Sequence, residues 1–499
     1  MYKLLILLIL AAGLATSCSK DMDDVREPVG ENPDNKNPEE AKFVVENFIY
    51  EAMDIYYLYE SEVPELAEEG YFDSQADLNQ FLGGFNSPED LYYNGLVADE
   101  YDEFSFMTDD YVWLENYFQG TTGTTGMEYG WYYYPNDNSK VLGIVRYVIP
   151  GSPADEEGVE RGMIFTKVDG VQITSGNLGT ILGEQSFSLS LATLDENDNI
   201  NETGETVDLF KEELTENPIH ISKTFDLGGG KVGYLMYNGF TGPFDDELND
   251  VFGEFKANGV TDLILDLRYN GGGDVRTATD LASMITGQYD GKLFAKEQWN
   301  RYLQPYLEEN YPQYIYNNFH TNLRKDSSYG LNGEVINSLE LENIYIIATR
   351  SSASASELII NGLDPYINVV HIGEKTRGKF QASVTLYDSE DFNRKDANPN
   401  HKYAIQPLVL KSVNAEGKSD YFGGLAPEIS ISESIRNFGE LGDPSERLLS
   451  KALDAVQGIR KVEPMEDELH LKLLGESGMN EPSYQRMYID KLPPVKRNQ

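Results

Sequence analysis

The stretch from Asn343 to Lys379 limits what this 499-residue chain can fold into more than any other part of it. Asn343-Ile-Tyr-Ile-Ile-Ala-Thr349 is a short apolar run with β-branched and aromatic residues, the pattern of a buried strand. A turn of small residues follows, Ser351-Ser-Ala-Ser-Ala-Ser356, and Glu357-Leu-Ile-Ile-Asn-Gly-Leu363 starts a helix. A second strand, Ile367-Asn-Val-Val-His-Ile372, leads through Gly373-Glu-Lys-Thr-Arg-Gly378 to Lys379. A strand that breaks through Ser and Ala into a helix holds a hydroxyl beside free backbone N–H groups, where the helix dipole favours developing negative charge. That is a place for a nucleophile. Taken singly, a Ser/Ala hexapeptide is more often a plain turn and a lysine is usually solvated; the two in this order and spacing are what carry chemistry.

The segments SASASE, ending at Glu357, and GEKTRGK, ending at Lys379, resemble those of the carboxyl-terminal processing peptidases, or tail-specific proteases, which are serine proteases with a Ser-Lys dyad. The resemblance implies Ser354 as nucleophile and Lys379, 25 residues on, as general base. A serine hydroxyl is a weak nucleophile until a base takes its proton, and a lysine can be that base only when burial lowers its pKa. Lys379 is therefore expected in an apolar, poorly hydrated pocket. Leu267-Arg-Tyr-Asn-Gly-Gly-Gly273 resembles the family's LRxNPGG loop, with Gly271 in the proline's place. The resemblance implies the Gly272 N–H as one oxyanion donor and the Ala355 N–H as the other. Family members often carry a lysine-orienting glutamine at the position that is Ser383 here, which leaves Gln381, Ser383 and Glu357 as candidates for that role.

Composition narrows the function classes. The formal charge of −45 repels nucleic acid and anionic lipid. Cys18 is the single cysteine, so no disulfide within the chain and no cysteine metal cluster can form. The five histidines are scattered without metal-ligand spacing, and neither a metal nor a cofactor is expected. His371, in an apolar strand, reads as a core residue.

In chain order, residues 1–17 read as an export signal, with a positive start and a short apolar stretch. Ala15-Thr-Ser-Cys18 resembles a bacterial lipobox, which implies lipidation of Cys18 and anchorage in the cell envelope, at the outer membrane on its periplasmic or surface face. The acyl chain would be the sole link to a membrane. Residues 18–40 are polar and rich in Pro, Asn and Glu, a tether. Residues 41–120 carry Phe48, Ile49, Met53 and Tyr56 at helical spacing and read as a small helical N-terminal domain, its aromatic face being packing surface.

Residues 121–217 contain Pro150-Gly-Ser-Pro-Ala154 and Val168-Asp-Gly170, which resemble a PDZ domain. Such a domain adds an extended peptide to a sheet edge and captures its terminal carboxylate. Its peptide-binding residues are placed at Tyr129, Gly130 and Trp131, where Glu128 would oppose an incoming carboxylate. Residues 218–460 read as the protease core, opening with Lys231–Tyr237, an amphipathic helix from Asp245 and Thr261–Leu267. The insertion 287–341 has no assigned chemistry, and residues 461–499 read as a surface tail or small helix.

The fold class expected is therefore multidomain α/β: a ClpP/crotonase-like core, a PDZ domain in series and a helical N-terminal domain. The function expected is a serine endopeptidase acting on proteins or peptides, selecting unfolded substrates or free C-termini through the PDZ domain. The alternatives from other classes are a catalytically silent, lipid-anchored PDZ receptor on a protease scaffold and a carbohydrate-binding surface lipoprotein.

Overall fold

The computed structural model describes residues 42–495, apart from 69, 325–332, 437, 460–468, 470, 480 and 482–483. The export signal, the tether and Cys18 lie outside the described residues.

The chain begins with α1 (Val44–Tyr56), which turns Phe48, Ile49, Ala52, Met53 and Tyr56 inward at intervals of three and four residues. α2 (Gln75–Leu82) starts at Ser74, whose hydroxyl accepts from the Asp77 amide. A third helical turn opens at Ser87-Pro88, where the Ser87 hydroxyl accepts from the Asp90 amide, and continues through Leu91–Leu96. These helices do not enclose a core of their own. Phe48 and Tyr56 meet Phe392, and Tyr56 also meets Trp299, so the aromatic face of α1 belongs to the same apolar cluster as the central sheet.

A seven-stranded sheet follows. Its strands include β1 (Met127–Tyr134), β2 (Asp137–Val148), β3 (Ile164–Val168), β4 (Ser186–Leu194) and β5 (Ile200–Phe210), joined antiparallel in that order. Between β2 and β3 lies the short helix Pro153–Glu156, capped by Ser152. The sheet has its own apolar cluster, centred on Trp131, Val145 and Phe165.

The central sheet is six-stranded. β6 (Ile219–Asp226) pairs antiparallel with β7 (Lys231–Tyr237); β7, β8 (Val260–Asp266) and the later strands are parallel. Between β7 and β8 runs α3 (Asp245–Asn258), with Asp245, Asp246 and Glu247 in its first turn and Gly259 closing it at φ 72°. β9 (Gly273–Asp274) then enters α4 (Val275–Thr286), which is buried almost all round. Its hydroxyls Thr279, Ser283 and Thr286 bond back to carbonyls one turn earlier, which satisfies them without water.

The insertion contributes β10 (Leu293–Trp299) and β11 (Tyr316–Asn318). β12 (Asn343–Ala348), α5 (Ala355–Leu363) and β13 (Asn368–Gly373) complete the strand–turn–helix–strand unit that the sequence predicts. β14 (Gln381–Ser383), β15 (Leu408–Asn414), β16 (Ile429–Ser430) and α6 (Arg447–Val456) follow. Along β7 and β8, Leu235, Leu263 and Leu265 face the cluster of α3, α4 and α5, while Tyr234, Met236 and Ile264 face α6, the two-residue period of a sheet covered on both sides.

The C-terminal segment differs from the surface tail expected for it. β17 (Leu473–Glu476) pairs antiparallel with β1 at the edge of the seven-stranded sheet. β18 (Met487–Tyr488) lies between β9 and β14 and is parallel to both, within a second six-stranded sheet. Met487, Ile489 and Leu492 are core residues. The polarity of the intervening residues hides this in the sequence, since a two-residue strand has no readable period.

Candidate active site

The turn after β12 is stitched to the loop after β8 by its serines. Ser352 Oγ donates to the Leu267 carbonyl at 2.7 Å and Ser356 Oγ to the Asn270 carbonyl at 2.9 Å, while the Ala353 amide also reaches the Asn270 carbonyl. Ser354 stands between them with its hydroxyl buried and without a hydrogen-bond partner among the described residues. Its backbone is held at φ 65°, a region a side chain rarely adopts, at the position just before α5. Of the three serines in SASASE, Ser352 and Ser356 thus anchor the turn by their hydroxyls and Ser354 does not.

Lys379 is fully buried, and its Nζ also has no hydrogen-bond partner among the described residues. It lies 4.3 Å from the centre of the Phe104 ring. Burial, and then the nearby Arg486 guanidinium, hold its pKa well below the usual lysine value. The lysine is buried as expected, but its surroundings are not apolar throughout, since the charged Arg486, Asp102, Glu357 and Arg377 act on it alongside the Phe104 ring. Phe104 was not singled out in the sequence; it sits in the segment before the seven-stranded sheet, where the bulk of an aromatic gives no sign of which charge it covers.

Glu357, in the first turn of α5, ties the two together. One carboxylate oxygen accepts from the backbone amides of Ser354 at 2.9 Å and Lys379 at 2.8 Å; the other accepts from the Gly378 amide at 2.7 Å and from Thr376 Oγ1. Burial raises its pKa, against the hydrogen bonds from Thr376 and the amides. Of the three candidates for orienting the lysine, none bonds to its amine. Gln381 receives its place from Tyr59, to whose hydroxyl it donates at 2.8 Å; Ser383 bonds Gln406 and the Met487 carbonyl; Glu357 acts on the backbone.

Gly272 approaches Ser354 so closely that a Cβ on it would lie 2.6 Å from Ser354 Cβ and 2.9 Å from its Oγ, and its φ is 111°. Its N–H, however, donates to Asn270 Oδ1 at 2.8 Å. Ala355 is the first residue of α5, where an amide has no partner within the helix. The loop carrying Gly272 is braced from below by Arg268, fully buried against Asp266, Glu446 and Glu433.

Tyr129, Gly130 and Trp131 lie on β1, which is paired on one side with β2 and on the other with the edge strand β17. Trp131 is buried against the Tyr129 and Phe165 rings. Burial, and then Glu216, push the Glu128 carboxyl up to about 8. A cavity of about 670 Å³ runs from this strand to Gly272, with Trp131, Arg146, Tyr147 and Arg486 in its wall. Among the described residues there is no His/Cys/Asp/Glu group arranged to hold a metal, and no helix is long and apolar enough to cross a membrane.

A central parallel sheet with covered faces, an N-terminal helical region and a serine at a strained strand-to-helix turn define an α/β protein of the peptidase kind. The chain belongs to peptidase family S41: residues 231–407 match the profile of that family and residues 45–106 match that of the peptidase S41 N-terminal domain. It is 22% identical over 316 residues to the carboxyl-terminal-processing protease of a Synechocystis species, covering 62% of this chain and 64% of that protein. It is 23% identical over 300 residues to the protein of the same name from a Picosynechococcus species, covering 56% of this chain and 64% of that protein. The chain thus spans just under two thirds of the length of these relatives. A crystal structure from Bacteroides fragilis NCTC 9343, titled as an S41 protease, superposes with a TM-score of 0.62 at 26% identity, covering 83% of this chain and 98% of that one.

Proposed function

We propose that this chain is a serine endopeptidase in which Ser354 and Lys379 form the catalytic dyad. The observation that carries the reading is the pair of buried, unpartnered groups, Ser354 Oγ and Lys379 Nζ, whose backbone amides share one carboxylate oxygen. A neutral lysine amine takes the Ser354 proton as the oxygen attacks the peptide carbonyl, then returns it to the leaving amine. The Ala355 N–H holds the resulting oxyanion. The Gly272 N–H joins it once the Asn270 side chain releases it, so the hole is completed by a rotation of that amide. Neither cofactor nor metal enters this scheme.

On the same reading the core is ClpP/crotonase-like, residues 121–217 are a PDZ domain, and its β1 edge receives extended polypeptides, unfolded or ending in a free carboxylate. The names of the two cyanobacterial relatives support carboxyl-terminal processing as the kind of proteolysis. We place the mature chain in the cell envelope through acylation of Cys18, which fits the strongly acidic charge of a protein that does not hold membranes by its surface. A PDZ receptor without catalysis has one observation in its favour, that Ser354 is covered.

Hydrolysis of unfolded proteins with free and with amidated C-termini, by the parent and by Ser354→Ala and Lys379→Ala, tests the proposal. Loss of cleavage in both variants supports the dyad, and loss on amidated substrates supports selection of tails. A parent as inactive as its variants on every substrate would favour the receptor.

A further inference from the structure

The C-terminal segment lies against the Gly271–Gly272 loop beside the buried Ser354. Gln485 backbone atoms come within 3.5 Å of where a Gly271 Cβ would stand, and the Arg486 carbonyl oxygen within 2.9 Å of where a Gly272 Cβ would stand, the same distance as Ser354 Oγ from that point. From there the segment enters the slot between the strand that follows Gly272 and the strand that follows Lys379: Met487 is level with Gly273 and Ala382, and Tyr488 with Asp274 and Ser383. The Ile489 amide donates to the Ser383 carbonyl at 2.9 Å. Met487 is fully buried.

The same segment takes the peptide edge of the seven-stranded sheet. Gly475 faces Trp131 and Glu476 faces Gly130, the residues the sequence marks for peptide binding. Ser477 N donates to the Tyr129 carbonyl at 2.9 Å, and Tyr129 N donates to Ser477 Oγ at 3.2 Å. Glu476 pins the arrangement. Its buried carboxylate accepts from Arg146 of β2, from Ser351 of the catalytic turn and from Tyr484 and Gln485 of the segment itself. Burial raises its pKa, and Arg146 with these hydroxyls more than offsets that, leaving it below the usual carboxylate range. Arg377, two residues before Lys379, adds a bond to Gln485 at 3.0 Å.

We infer that residues 473–479 and 484–490 occupy in cis the path of an extended polypeptide through both units, so that the chain's own C-terminal segment is the resident ligand that a substrate must displace. This rests on the reading of the site as a peptidase. Three features separate the segment from a substrate caught for cleavage. The chain continues beyond the slot on both sides, Gln485 is bent at φ 54°, and the Gly272 N–H stays on Asn270 and not on the Arg486 carbonyl. The covering is therefore a resting arrangement. It also states what the slot takes: a β-strand with a large apolar side chain at the place of Met487, seated by backbone pairing on two sides.

Truncation before Leu473 would strip Met487 and Ile489 from the core, so locking the segment is the sharper test. Leu473 lies opposite Tyr132 across the antiparallel pair, and opposed residues have Cα atoms about 4.5–5.5 Å apart, within the span of a disulfide. The chain carrying Leu473→Cys, Tyr132→Cys, Cys18→Ser and the uncleaving Ser354→Ala is oxidised or reduced and titrated with a fluorescent synthetic peptide of residues 471–495. A tethered competitor that cannot leave should weaken binding at least about tenfold in the oxidised form, with recovery on reduction. Equal affinity in the two forms, or no binding in either, overturns the inference. The same pair of cysteines with Ser354 intact is assayed for hydrolysis: redox-dependent binding without hydrolysis in either form would sink the peptidase reading alone.

Discussion

Ser354 and Lys379 are fastened by their backbones to one oxygen of Glu357, at 2.9 and 2.8 Å, although their side chains come from different strand ends. The relationship assigns Glu357 to positioning. Its place in the helix turn is set by sequence and its three amide donors by fold, so a shift of this one carboxylate would move the proposed nucleophile and base together.

Glu357→Gln presents an amide NH2 to backbone donors that now meet an acceptor. About 1–3 kcal/mol of stability should be lost, with up to about 100-fold in kcat at little change in KM. Urea unfolding and steady-state kinetics check both. Unchanged kcat in a folded variant would refute the positioning role.

Lys379 gives a pH profile. In the proposed dyad it must be neutral to accept the Ser354 proton, and the neutral fraction grows as pH rises. Burial and then Arg486 hold its pKa well below 10.5, so kcat/KM should rise through one deprotonation well below that value. Arg486→Met removes a like charge, raises the lysine pKa and should move the acid limb to higher pH. A limb that stays in place would show that the guanidinium does not act on the lysine.

The same lysine should lower stability. Below 10.5 the unfolded chain protonates it while the folded chain resists, so the unfolded state binds more protons and stability falls as pH drops from that value. Lys379→Met should abolish hydrolysis and raise Tm by about 1–3 °C at neutral pH. Calorimetry at neutral and alkaline pH reads the sign, the gain shrinking as pH approaches the unfolded lysine's pKa.

Gly272 and Gly271 separate close approach from mere turn formation. Gly272→Ala puts a methyl into Ser354 at a φ of 111° and should cost about 100-fold or more in rate. Gly271→Ala meets nothing nearer than 3.5 Å, at Gln485, and should leave the dyad working. Equal losses at the two positions would mean that the loop fails as a whole.

The ionic cluster under the loop sets acid stability. Glu433 is held at about 2, where burial raises its pKa and Arg161 and Arg268 more than reverse that. A depressed carboxyl contributes stability above its unfolded value of 4.5 that is lost as pH falls from there toward about 2. Arg268→Leu should cost roughly 3–5 kcal/mol at neutral pH, since it strands Asp266 and Glu446. Urea midpoints at neutral and acid pH check this, with the deficit narrowing in acid.

What the sequence discloses follows the length of each signal. The strand–turn–helix–strand around Ser354 shows in apolar runs long enough to have a period, and the glycine loop shows because backbone crowding demands glycine. Three things stay hidden for physical reasons. Glu357 is named in the sequence as a candidate to orient the lysine amine, but that it instead gathers backbone amides, one of them 22 residues away, is not legible there. Asn270 is a common turn residue whose side chain happens to face the Gly272 amide. The strands at Leu473 and Met487 draw their stability from partners more than a hundred residues distant, and four or two residues cannot show that in advance.

β17 also has a meaning for the protein among its own copies. A sheet ending at β1 would present unpaired amides and carbonyls beside Trp131 and Tyr133, the template on which identical chains stack edge to edge. With Leu473–Glu476 laid along it, the β1 edge is paired, and the free edge of the sheet passes to the four-residue β17. On the displacement proposed above, a molecule that gives up this segment to admit a polypeptide also bares the β1 edge.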